Sequence, residues 1–215
     1  CHHRLEARIA ELHGMEASYT FTSCWNANEA IFATLCEPGD LIISDALNHA
    51  SIIDGVRLAS VIKKGVHKTV YRHNDFEHLR ERLEAAKANP EVTGQIWLVT
   101  DGVFSMEGDI ADLPTLRAIC DEYDAKLIVD DSHGTGVMGP TGRGTHEHWG
   151  IPGDRIDLFT STLGKALGGG AGGYMAGSRE MIDLMIQRGR PTLFSNALPA
   201  TVACSADKAI EILMT

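Results

Sequence analysis

Ser161-Thr162-Leu163-Gly164-Lys165, followed by Ala166-Leu167-Gly168-Gly169-Gly170, sets a lysine between an apolar run and a glycine-rich turn. A lysine after a glycine is usually a solvated surface residue. Here the glycines let the backbone approach a ligand, and an amine desolvated at a sheet edge can act as a Schiff-base nucleophile. The stretch is not a P-loop: Phe159 occupies the place of the first glycine, and Ala166 stands where a magnesium-binding hydroxyl is needed. Gly168-x-Gly170-x-x-Gly173 formally matches a dinucleotide fingerprint, but it leads into strand-like Tyr174-Met175-Ala176 instead of a helix.

Asp130-Asp131-Ser132-His133 follows another apolar run. Its plain reading is that one Asp caps the next element and His133 bonds the backbone. Its chemical reading is a carboxylate and an imidazole at a strand end, and a metal would need further ligands at spacings this chain does not offer. Thr22-Ser23-Cys24-Trp25 precedes a helical pattern. It reads as a capped helix start and, equally, as a phosphate site built from free N–H groups, the Ser23 hydroxyl and the helix dipole. His49, in Leu47-Asn48-His49-Ala50-Ser51, could stack on a planar ring, with Ser51 as the expected cap of the next helix. His146-x-His148 lies in a polar stretch and is expected to be solvated.

These residues need strands and helices to converge. The spacing predicts strands at Tyr19–Phe21, Leu41–Ile43, Thr69–Tyr71, Gln95–Thr100, Lys126–Val129, Arg155–Thr160 and Gly173–Ala176. Helices are expected up to Gly14, over Asn26–Cys36, around Ile52–Ala59, after the Asp75 cap, and over Leu113–Tyr123, Arg179–Gln187 and Ala200–Leu213, with a loop over 139–154. Strands separated by helical segments imply one α/β domain with a mostly parallel sheet and three layers. Ligands of such sheets gather beyond the carboxyl ends of the strands. Asp45, Asp101, Asp130, His133, Thr162 and Lys165 all fall there.

The 215 residues carry 19 Lys and Arg against 29 Asp and Glu, a net charge of −10. With no basic block, no general nucleic-acid or anionic-membrane partner is expected. No apolar run approaches the roughly 20 residues of a membrane span, and no signal peptide is expected. Opening on Cys1 without a Met, the chain reads as a piece of something longer. Five cysteines, none at C-x-x-C spacing, argue against a disulfide framework and for the cytoplasm or an organelle matrix such as that of mitochondria. Cys36 and Cys120 are expected to be buried thiols.

Taken together, the motifs resemble the α-oxoamine synthases, acyl-CoA-dependent enzymes of the fold-type I pyridoxal-phosphate class. The matching stretches are residues 44–55, 100–109, 129–133, 162–169 and 190–196. The resemblance implies the large pyridoxal-phosphate-binding domain of aminotransferase-like enzymes over residues 1–215. It leaves the family's N-terminal segment and C-terminal small domain outside, so weak or no turnover is expected from these residues alone. It further implies that Lys165 holds the cofactor and serves as general base, that Asp130 pairs with the pyridine nitrogen and that His49 stacks on the ring. His133 and Ser105 would lie at the ring's phenolic oxygen. Ser23, Cys24, Trp25 and Thr162 would hold the phosphate, and Ser195 would reach the phosphate of a partner subunit in a homodimer with a shared site. The implied reaction is condensation of glycine with an acyl-CoA, most like the branch that takes acetyl-CoA to 2-amino-3-ketobutyrate in threonine catabolism. The 5-aminolevulinate, 8-amino-7-oxononanoate and sphingoid-base branches are alternatives, and Tyr71-Arg72-His73-Asn74-Asp75 looks more like the first of these. A non-catalytic piece that retains only cofactor binding and dimer contacts is the alternative from another class.

Overall fold

Capping chemistry sets most helix ends in the computed structural model, which describes residues 1–168 and 170–215. Gly169, within the glycine-rich turn noted above, lies outside the described residues. Helix α1 (His2–His13) buries Leu5, Ile9 and Leu12 and stops at Gly14, whose φ of 65° returns its N–H to the last turn. The Ser23 hydroxyl caps α2 (Cys24–Leu35) by accepting from the Asn26 N–H. Helix α3 (Ala50–Ile62) is capped by His49, not by the expected Ser51: the imidazole accepts from the Ser51 N–H, so Ser51 already lies inside the first turn. Asp75 caps α4 (Phe76–Ala88) and Asp112 caps α5 (Leu113–Tyr123). The expected loop over 139–154 winds instead into α6 (Thr145–His148) and a 3-10 turn (Gly153–Arg155). Helices α7 (Arg179–Arg188), α8 (Arg190–Phe194) and α9 (Ala200–Leu213) follow.

The strands are β1 (Ala17–Phe21), β2 (Leu41–Asp45), β3 (His67–Tyr71), β4 (Ile96–Asp101), β5 (Ala125–Asp130), β6 (Leu158–Thr162) and β7 (Gly173–Gly177). Strand β6 starts at Leu158 and not at Arg155, because the 3-10 turn takes up the residues before it. All seven form one sheet in the order β1-β7-β6-β5-β4-β2-β3. Neighbours from β3 to β6 pair in parallel, and β7 runs antiparallel to both β6 and β1.

Alternation along the central strands builds a core on each face. Ile43, Leu98, Leu127 and Phe159 pack with α1, α4, α5 and α9, whereas Ile42, Val99, Ile128 and Leu158 pack with α2, α3 and α7. This is the expected three-layer α/β architecture. Cys36 and Cys120 are buried as expected, and burial pushes both thiols up to about 12. One cysteine expectation fails: Cys1 and Cys204 form a disulfide with a Cα–Cα distance of 5.3 Å. The partners lie 203 residues apart and meet because α1 packs beside α9, which no local spacing announces.

The expectation for His146 also fails. It is only 4% exposed and lies 5.1 Å, centroid to centroid, from Phe159, whereas His148 is exposed. His13 stacks on the same ring, and its Nε2 lies 2.8 Å from the Tyr174 hydroxyl. Burial, reinforced by Arg143 and opposed by Glu147, lowers His146 from 6.5 to about 4. A depressed histidine contributes stability that is present above its unfolded pKa and lost as pH falls toward the folded one. That contribution is about 3 kcal/mol between pH 6.5 and 4. Asp101 and Asp131, pushed up by burial to about 8 and about 7, act oppositely and lose stability as pH rises. The test is therefore a comparison: the stability of wild type relative to His146→Leu should fall by about that amount between pH 7 and pH 4 in denaturant titrations. A difference independent of pH would refute it.

Candidate active site

The parallel strands deliver their polar ends to one edge, where Asp45, Asp101, Asp130 and Thr162 are the last residues of β2, β4, β5 and β6. Because β7 is reversed, its first residue, Gly173, arrives at the same edge and meets the start of α2 through the parallel bridge between Ser23 and Gly172. A cavity of about 210 Å³ opens there. It is lined by nine of the ten residues singled out in the sequence: Ser23, Cys24, Trp25, His49, Ser105, Asp130, His133, Thr162 and Lys165. Ser195 is the tenth. It follows α8, is exposed, and does not line this cavity.

The Lys165 Nζ donates to His133 Nε2 at 2.7 Å. Burial, and then the Lys165 charge, lower the His133 imidazole below its ordinary value, which keeps that nitrogen an acceptor at neutral pH. Asp130 lies deeper in the cavity. Its Oδ1 accepts from the Ser132 N–H at 3.0 Å, and its Oδ2 accepts from Asn28 Nδ2 at 2.6 Å and more weakly from the Cys24 thiol at 3.6 Å. Burial and the Asp130 charge raise that thiol well above its usual range, so Cys24 is no nucleophile. Of the adjacent acids, Asp131 fills the capping role. It is fully buried and accepts from Thr135 Oγ1, from the Thr145 N–H and from the Thr145 hydroxyl.

Thr162 steers the turn toward Lys165, since its hydroxyl donates to the Gly172 carbonyl and accepts from the Gly164 N–H, both at 3.1 Å. The Trp25 and His49 rings meet edge to face at 6.2 Å beside the first turn of α2. The leading N–H groups of a helix have no intrahelical partner and carry the positive end of its dipole. The cavity thus combines an amine, an imidazole, a buried carboxylate, a flat ring and the N-terminus of a helix. The pattern Gly168-x-Gly170-x-x-Gly173 opens strand β7 and no helix, so it builds no dinucleotide turn. Tyr71-Arg72-His73-Asn74-Asp75 lies outside the cavity: His73 bridges Asp45 and Asp109 at 3.0 Å each.

Gly173 is required for close approach, because a Cβ there would strike the Cys24 backbone. Gly173→Ala should cost about 1–3 kcal/mol in chemical denaturation by pushing the start of α2 away from β7. Unchanged stability would show that this contact gives way freely.

Sequence reading passed over Asn28, buried at 2% exposure, and gave Ser51 and Asp101 no chemical role, although Ser51 and Asp101 line the cavity and Asn28 touches Asp130. The one available signal for Asn28 was an amide amid the apolar helix face Ala27, Ala30, Ile31.

The family model "Aminotransferase class I and II" matches residues 1–213. The mitochondrial 2-amino-3-ketobutyrate coenzyme A ligase of Mus musculus is 46% identical over 214 residues, covering 99% of this chain and 49% of the relative. The 8-amino-7-oxononanoate synthase of Alkaliphilus oremlandii is 46% identical over 214 residues, covering 100% and 52%. Among solved structures, serine palmitoyltransferase from S. paucimobilis with PLP and myriocin bound superposes with a TM-score of 0.89 at 32% identity, covering 100% of this chain and 51% of that one. The chain spans about half the length of the curated relatives it matches. On its sequence and its sheet, the chain belongs to the aminotransferase class I and II family, among relatives that are α-oxoamine synthases.

Proposed function

We propose that this chain is the pyridoxal-phosphate-binding part of an acyltransferase that joins glycine and acetyl-CoA into 2-amino-3-ketobutyrate and CoA. The observation that carries the proposal is the meeting of Lys165, His133, Asp130 and His49 with the start of α2 in one cavity. The donor set fits the cofactor. An amine is present for its aldehyde, a buried carboxylate for its ring nitrogen, an imidazole ring for its face and a helix N-terminus for its phosphate. When bound, pyridoxal phosphate supplies an electron-accepting ring that stabilises a carbanion at the amino acid's α carbon.

The protein's own contribution is positional and electrostatic. Lys165 Nζ holds the cofactor and, once released, holds or returns a proton beside His133. Asp130, fixed through both oxygens, supplies the negative charge that keeps a proton on a ring nitrogen. Trp25 and His49 wall one side of the cavity. Ser195, exposed outside its own cavity, serves the partner's phosphate in a homodimer. A second reading, 8-amino-7-oxononanoate synthesis, is favoured by the equal 46% identity to a relative of that branch.

Borohydride treatment of the pyridoxal-phosphate-loaded protein should fix the cofactor on Lys165, read by peptide mass spectrometry. Glycine-dependent CoA release should then be greatest with acetyl-CoA. Preference for a longer acyl-CoA would favour the second reading, and fixation without turnover even in the whole enzyme of which this chain is the proposed part would favour the non-catalytic one.

A further inference from the structure

Asn28 sits between two groups of the proposed site and contacts both. Its Nδ2 donates to Asp130 Oδ2 at 2.6 Å and to Ser51 Oγ at 2.9 Å. Its Oδ1 accepts from Thr160 Oγ1 at 2.9 Å. A primary amide has two N–H donors and one carbonyl acceptor, and here all are engaged. The orientation follows from chemistry: a carboxylate oxygen can only accept, and a hydroxyl can donate to the amide oxygen. Thr160 and Asp130 are register partners on β6 and β5, so the sheet itself holds the two ends between which the amide fits.

The chain of hydrogen bonds continues to the His49 imidazole. Ser51 Oγ, having accepted from Asn28, has its own proton left to donate, and His49 Nδ1 lies 2.7 Å away. The Ser51 backbone N–H points at the same nitrogen at 3.3 Å, and a backbone N–H can only donate. His49 Nδ1 therefore accepts twice, and the ring proton belongs on Nε2.

We propose that Asn28 and Ser51 are positioning residues that join Asp130 to His49 through a hydrogen-bond relay of fixed direction, which holds the carboxylate against the ring nitrogen of pyridoxal phosphate and locks His49 in its Nε2–H form. This rests on the cofactor reading above for what Asp130 and His49 face, and on side-chain geometry alone for the relay. Strands β5 and β6 and helices α2 and α3 each contribute one end of it, so the floor and one wall of the cavity are tied into a unit.

The test has one arm without cofactor and one with it. Nitrogen-15 NMR of the cofactor-free protein should show His49 protonated on Nε2 and not on Nδ1. Ser51→Ala, which keeps only the backbone N–H on Nδ1, should weaken that preference, and Ser51→Thr should restore it. A wild-type His49 protonated on Nδ1 would overturn the relay. In the second arm, Asn28→Ala should weaken pyridoxal phosphate binding by tenfold or more, the loss typical of a hydrogen bond to a charged group. It should also shift the visible absorption of the bound cofactor, while Ser51→Thr keeps both near wild type. Wild-type affinity and spectrum in Asn28→Ala would overturn the assignment of Asn28. Failure of the wild type to bind pyridoxal phosphate would instead overturn the cofactor reading, and the NMR arm would still decide the relay.

Discussion

In the whole enzyme of which this chain is the proposed part, Lys165→Ala should lower glycine-dependent CoA release by at least about 10⁴-fold, the upper range for loss of a positioned acid–base group, and should abolish borohydride fixation of the cofactor. Two functions should end together, because in the proposed reading the same nitrogen would attach the cofactor and handle the proton. No neighbour can substitute. His133, the group in contact with Nζ, is an imidazole held below its ordinary pKa by burial and by the Lys165 charge, and it forms no comparable covalent link. Lys165→Arg is the informative companion: it keeps the charge but lacks an amine that condenses with an aldehyde. It should be as inactive as the alanine variant, while His133 stays depressed. Turnover within tenfold of wild type in either variant would remove Lys165 from the mechanism.

Asp130→Asn should reduce turnover about 10³-fold, the scale seen when a preorganised electrostatic partner is removed. The substitution is nearly isosteric, yet it reverses hydrogen-bond polarity. Both Asp130 oxygens accept, one from the Ser132 N–H and one from Asn28. An amide NH₂ in either position would face another donor. The negative charge that would face the cofactor's ring nitrogen is lost as well. A second readout is local. Asp101, the register partner of Asp130 on β4, is pushed up to about 8 by burial first and by the Asp130 charge second. Removing that charge should bring Asp101 down, detectable by carbon-13 NMR of its carboxyl. An unchanged Asp101 together with near-normal turnover would show that Asp130 is not the charge that governs this cavity.

Much of the site was readable from local order along the chain. Lys165, Asp130, His133 and Cys24-Trp25 each stand at a strand end or a helix start, and α/β sheets place such junctions on one edge. Leu5, Ile9, Leu12 and Gly14 announced a helix and its stop, and Asp75 announced a cap. The misreadings share a cause. His146 lies in a polar, glycine-rich stretch, and only the packing of α6 against Phe159 and His13 buries it. Cys1 and Cys204 are joined through helix packing between opposite ends of the chain. The adjacent Asp130 and Asp131 look alike in one dimension. The strand end points one into the cavity and turns the other onto Thr145 and Thr135.

The sequence by itself determined the chemical types available and the edge of the sheet that would hold them, because capping, alternation and crossover handedness act over a few residues or one βαβ unit. Tertiary structure alone decided which of those groups touch. Asn28 meets Asp130 and Ser51 across 102 and 23 positions of chain. The reversed β7 brings Gly173 against Cys24 because no Cβ stands between them. Such contacts depend on strand order and on the direction of each hydrogen bond, which exist only once the sheet has assembled.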